Sequence, residues 1–101
     1  MSIASRDKER IKNRIREALS GEKEIQKIVL FGSFVHSKNP GDIDIAVFQN
    51  SNESYIPLSM KYRRLIREIS KSFPVDIIPL KMNSEGSFLE EINSGETIYE
   101  R

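Results

Sequence analysis

The chain has 101 residues, 38% hydrophobic and 31% charged, with a formal net charge of +1. That size suits one domain around one core, expected to span residues 1–101. The absence of cysteine rules out disulfides, a thiolate metal site and a catalytic thiol.

No apolar run approaches the ~18 residues of a membrane span, and the first residues show no signal-peptide pattern, so the expected compartment is the cytoplasm. Charge is unevenly spread. Arg6 to Arg16 carries six Lys or Arg against two acids, and Ser84 to Arg101 carries five Glu against one Arg. These runs read as solvated helix faces, or as a basic face for a polyanion and an acidic face for a partner.

Residues 5–19 read as a helix, because Ile11, Ile15, Ala18 and Leu19 recur at helical spacing between charges. Ser20-Gly21 ends it in the manner of a glycine C-cap. "IQKIVLF", 25–31, is β-branched and apolar and reads as a strand. Gly32 to Gly41 is a connection with room for one helical turn after Ser33. "DIDIAVF", 42–48, alternates and then becomes fully apolar, the pattern of a central strand.

"QNSNES", 49–54, is a polar loop, and 56–72 reads as a second helix with Leu58, Tyr62, Leu65, Ile66 and Ile69 on one face. Phe73-Pro74 stops it, since the residue before proline avoids the α region. "VDIIPL", 75–80, is a third strand, placed at an edge or ending there because Pro79 cannot donate to a ladder. Ser84 to Ile92 reads as a short helix carrying Phe88, Leu89 and Ile92, broken by Ser94-Gly95, with "ETIYE" a last strand or tail. The order predicts an α+β domain, one small mixed sheet packed against helices.

Asp42 and Asp44 are two residues apart, so a strand projects both from one face while Ile43, Ile45 and Val47 line the other. Asp76, between Val75 and Ile77, reads as a third, buried acid on a neighbouring strand. Three such carboxylates repel unless cations lie between them, and oxygen donors suit a pair of hard divalent ions. Mg²⁺ usually completes its shell with substrate phosphates. Gly32-Ser33, straight after a strand, offers those phosphates free N–H groups, close backbone approach and a hydroxyl.

Singly, each feature has a plainer reading. Gly-Ser after a strand is a turn; Asp42 simply follows the Asn39-Pro40-Gly41 turn; Asp76 is a salt-bridge partner. The ordered combination carries the functional reading. Tyr55, Tyr62 and Tyr99 read as residues that pack or cap the core, and His36, the single histidine, as a solvated turn residue.

"IVLFGS", "DIDIAVF" and "VDIIPL" together resemble the nucleotidyltransferase domain of the DNA polymerase beta superfamily, and in particular its minimal single-domain (MNT) branch, often encoded beside a helical HEPN-type partner. The resemblance spans roughly residues 5–100 and implies the nucleotidyltransferase fold. By it, Gly32 and Ser33 hold a nucleotide triphosphate, Asp42 and Asp44 bind two Mg²⁺ ions, with Mn²⁺ able to substitute, and Asp76 binds the ion beside the acceptor hydroxyl.

It further implies transfer of a nucleoside monophosphate, AMP from ATP, to a hydroxyl of a HEPN-type partner, as an antitoxin does. The alternative is a catalytically weak or inactive module that neutralises such a partner by occlusion. Departures bear on that choice. His36 stands where arginine is common and Ser37 where glycine is, and only eight residues separate Ser33 from Asp42, fewer than the family pattern has. Plain nucleic-acid binding is permitted by the basic first helix, but no reading motif supports it.

Overall fold

The computed structural model describes residues 4–84, 86 and 89–101. In chain order the elements are α1 (Ser5–Leu19), β1 (Ile25–Phe31), α2 (Ser33–His36), β2 (Ile43–Gln49), α3 (Tyr55–Leu65), α4 (Arg67–Ser70), β3 (Val75–Lys81), α5 (Leu89–Asn93) and β4 (Glu96–Glu100). The strands form one mixed sheet in the order β3-β2-β1-β4. β1 runs antiparallel to both β2 and β4, and β2 runs parallel to β3, with α3 and α4 making the crossover that parallel strands require. Among the described residues no helix is long and apolar enough to cross a membrane.

The α+β expectation holds, and β2 is central as its apolar run implied. β3 is an edge strand, which tolerates the missing N–H of Pro79. The "ETIYE" segment is a strand, β4, at the other edge.

One face of the sheet carries the main core. Ile28 and Leu30 of β1, Ile43, Ile45 and Val47 of β2, and Ile77 of β3 pack against Ile11, Ile15 and Leu19 of α1 and Leu58, Tyr62, Ile66 and Ile69 of α3 and α4. Ile25 joins them although it lies an odd number of residues from Ile28. A register shift between Ile25 and Lys27 adds a residue to β1 and turns both side chains to the same face. The opposite face is thinner: Val29, Phe31, Ala46 and Phe48 are covered by Ile92 of α5, with Ile78, Leu80 and Leu89 beside them. The short apolar run in α5 is what lets so small a helix close that face.

Four local expectations need correction. α1 does end at Ser20, but Ser20 stays helical (φ −67°, ψ −14°), and Gly21 is not among the glycines at positive φ, so no left-handed cap forms. The second helix is broken at Ile66, whose φ of −104° and ψ of 19° leave the helical region. Ile66 and Ile69 stay in the core while Leu65 is exposed. Tyr62 is fully buried and Tyr99 packs on the core, but Tyr55 is 54% exposed and caps nothing. The last helix is seen from Leu89 to Asn93; Phe88 lies outside the described residues. Gly95 follows because a Cβ there would collide with the Leu30 carbonyl oxygen, so only glycine lets the chain press onto β1 before turning into β4.

Candidate active site

The acids sit at the open end of the thin face. Asp44 precedes Ala46 and Phe48 in one row of β2, and Asp76 precedes Ile78 and Leu80 in the matching row of β3. Parallel pairing sets Asp44 directly beside Asp76. Asp42 lies one residue before β2, outside the regular pleat, yet its carboxylate joins the other two: one oxygen from each lies within 4.8 Å of the rest. The expected trio is therefore brought together. Asp76, read as buried, is exposed, at the start of the edge strand β3; Asp42 and Asp44 are half-buried.

Gly32 faces this cluster. β1 pairs Phe31 with Asp44, so the next residue must pass the Asp44 side chain. A Cβ on Gly32 would collide with Asp44 Oδ2. Gly32 also has φ of 74° and ψ of −153°, a conformation that L side chains avoid. The glycine thus does two jobs: it makes the turn from β1 into α2, and it leaves room for a carboxylate beneath it.

Ser33 opens α2. Its Oγ accepts the Gly41 N–H at 3.2 Å, which ties the start of the turn to the residue before Asp42 and fixes the loop between them. The hydroxyl hydrogen is still available to donate. Phe34, fully buried, anchors the turn in the core, and Lys8 of α1 braces it from outside, donating to the Ser37 carbonyl at 2.6 Å and lying 5.4 Å from the Phe34 ring centre. His36 is exposed at the end of the turn, as its reading required.

The cluster is electrostatically uncompensated. Among the described residues no Lys, Arg or His forms an ion pair with Asp42, Asp44 or Asp76. Burial, then the charges of Asp42, Asp76 and Glu91, push the Asp44 carboxyl up to about 6. Every influence acts in one direction, against ionisation, as expected for a carboxylate with like charges beside it and no cation. The donor set fits hard divalent cations: three carboxylates at the rim of a sheet, oxygen only, with no sulfur or imidazole.

Glu91 was not singled out by the sequence reading. It lies on α5, close enough to Asp44 to act on its ionisation, and only the packing of α5 over the thin face brings it there. Nothing in "LEEIN" marks one glutamate over the other.

The sequence model of the family described as "Polymerase beta, Nucleotidyltransferase" matches residues 13–101. The chain belongs to that family. Comparison with curated proteins finds no match.

Solved structures share the fold. A chain from the complex of a tri-AMPylated Shewanella oneidensis HEPN toxin with MNT antitoxin is 20% identical, with a TM-score of 0.63 over 93% of this chain and 73% of that one. A chain of a toxin–antitoxin structure with AMP-PNP is 21% identical, with a TM-score of 0.62 over 89% and 73%. A candidate nucleotidyltransferase from Sulfolobus solfataricus is 21% identical, with a TM-score of 0.62 over 95% and 82%. At these identities the likeness is one of fold, and it agrees with the mixed sheet that carries the acids. The nucleotidyltransferase family as a whole generally uses divalent metals, which the three-acid cluster could hold.

Proposed function

We propose that this nucleotidyltransferase domain transfers AMP from ATP to a hydroxyl of a HEPN-type protein, as the antitoxin of a toxin–antitoxin pair. The observation that carries the reading is the trio of unpaired carboxylates within 4.8 Å, facing the Gly32-Ser33 turn. The nature of the nucleotide and of the partner draws on similar solved complexes, one with a tri-AMPylated HEPN toxin and one with AMP-PNP.

Asp42 and Asp44 would hold two Mg²⁺ or Mn²⁺ ions, and Asp76 one of them. When bound, such ions neutralise the triphosphate and acidify the attacking hydroxyl. The chain's own residues do the rest. The bare backbone of Gly32 and the N–H groups at the start of the turn seat the phosphates, and the Ser33 hydroxyl donates to a phosphate oxygen. Held there, the α-phosphorus faces the acids. The acceptor hydroxyl oxygen bonds to it, the bond to pyrophosphate breaks, and pyrophosphate leaves. Asp76, the exposed member, is open to the acceptor side and takes the hydroxyl proton.

A second reading is occlusion: the chain silences its partner by binding alone. The short loop of eight residues from Ser33 to Asp42 favours it, because a trimmed loop offers less backbone to hold phosphates. One experiment separates the two. With labelled ATP, Mn²⁺ and a HEPN-type toxin from the same genome, the chain labels the toxin and not itself, and Ser33→Ala slows labelling while the complex still forms. Silencing of the toxin without label transfer overturns the transferase reading.

A further inference from the structure

The outer side of α3 and α4 is unusual for a solvated helix. Met60 is 59% exposed and Ile56 67% exposed, one turn apart. Beyond them Arg63, Arg64 and Arg67 line a groove of about 400 Å³ whose apolar part is Met60, Ile66 and Val75, with Ser70 its one uncharged polar residue. Among the described residues none of these three arginines forms an ion pair, whereas Lys71, just past the groove, is paired with Glu68 at 3.0 Å. Arg63 is held in place: its guanidinium donates to the Val75 carbonyl at 3.4 Å and to Ser59 Oγ at 3.3 Å. The groove ends at Val75, which pairs with Ile43 and immediately precedes Asp76.

We propose that this groove docks an acidic amphipathic helix of a protein partner, apolar residues on the Met60–Ile66–Val75 part and carboxylates on Arg63, Arg64 and Arg67. Charge complementarity selects the occupant. Guanidinium forks match carboxylates bidentately. Exposed Met with Arg is the composition of protein interfaces, where Lys is depleted. Among the described residues no aromatic ring lines the groove, so they give it no stacking platform of the kind single-stranded nucleic acid uses.

Placement gives the groove a purpose. Val75 and Asp76 are neighbours on an edge strand and face opposite sides of the sheet, so a partner seated in the groove reaches the acids around that edge. This last step rests on the transferase reading; the docking itself does not.

The test uses the full chain and three probes: a helical peptide of about 20 residues with a leucine stripe flanked by Glu, its Lys-for-Glu counterpart, and an oligo-U RNA of similar length. In fluorescence anisotropy at low salt the Glu peptide binds and the Lys peptide does not. The double variant Arg64→Glu/Arg67→Glu, at two exposed positions, weakens the Glu peptide by on the order of tenfold or more and gains affinity for the Lys peptide. Its melting temperature and its ATP·Mn²⁺ affinity stay at wild-type values.

Equal binding of both peptides, or tight RNA binding that the double variant abolishes, overturns the proposal. So does a concentration-dependent dimer that the double variant dissolves and the Glu peptide fails to displace, which would assign the groove to a second copy. Asp44→Asn keeps Glu-peptide binding while losing ATP·Mn²⁺, so failure of the groove and failure of the nucleotide site give different results.

Discussion

The two ends of the β1–β2 pair carry carboxylates in opposite electrostatic states. At one end Glu24, just before β1, accepts the Tyr62 hydroxyl at 2.9 Å and pairs with Lys61 at 2.9 Å, and Lys61 also reaches Glu22 at 2.8 Å. At the other, among the described residues, the charges that act on Asp44 are those of Asp42, Asp76 and Glu91, all of like sign. Burial works against ionisation at both ends. It is outweighed at Glu24, where Lys61 and Tyr62 hold the carboxyl below its usual range, and reinforced at Asp44, which rises to about 6. The seven residues of β1, ~3.3 Å apart, separate a closed charge network from an open one. The same chain that pairs Glu24 so completely leaves Asp44 without an ion pair among the described residues, as the proposed cation site requires.

The most severe way to break this contrast is Asp44→Asn. Nucleotide binding with Mn²⁺ should be lost and AMP transfer should fall by about 10²-fold or more, while the ligand-free chain melts at the same temperature or higher because a repelling charge is gone. Asp76→Asn should keep most of the nucleotide affinity yet lose transfer by about 10²-fold, the scale of a missing general base. Calorimetry, single-turnover transfer and thermal melting read the three quantities. A markedly less stable Asp44→Asn or Asp76→Asn chain would make the acid end a structural network like the other end.

The mirror experiment is Tyr62→Phe. It leaves Glu24 short of one hydrogen bond at a nearly closed site, and hydrogen bonds to charged groups contribute about 1.5–3 kcal/mol. For a domain of this size each kcal/mol is worth roughly 4–8 °C in melting temperature. Transfer measured well below the transition should not change. Loss of transfer without loss of stability would tie the closed end to function and erase the distinction.

The smallest effect is in pH dependence, where the two ends have opposite signs. Asp44 is raised when folded, so its contribution to stability is full below its unfolded value near 4 and is lost as pH rises through about 6. Glu24 is lowered when folded, so its contribution is present above its unfolded value and is lost as pH falls through the folded one. Melting of the ligand-free chain should therefore flatten for Asp44→Asn between pH 4 and 7, losing the decline toward neutral pH, whereas Glu24→Gln should lose the fall that wild type shows as pH drops below 4.5. Mn²⁺ with ATP should also remove the decline by binding the ionised form. An Asp44→Asn profile parallel to wild type across that interval would show that the carboxylates are compensated after all.

Much of this was legible in the chain. Hydrophobic pattern, β-branched composition and turn residues placed α1, β1, β2 and β3 within a residue of where they lie, since these are local properties of the backbone. Pro79 restricted β3 to an edge or to an end at that residue, because a missing N–H is visible in any context; the structure has the edge, with the strand running on to Lys81. The three acids and Gly32-Ser33 were readable because a carboxylate in an apolar strand, and a glycine after one, stand out against the residues around them.

What the chain could not give was anything set by one element meeting another. The break at Ile66 and the exposure of Leu65 follow from how α3 and α4 pack on the sheet. The exposure of Asp76 follows from strand order, and the approach of Glu91 from where α5 lands. Gly32 was read as room for a phosphate; only the pairing of Phe31 with Asp44 shows that the space is first taken by the carboxylate itself. Spacing along the backbone fixes which residues share a face, whereas contact between faces depends on strand register and helix placement, which no short window of sequence contains.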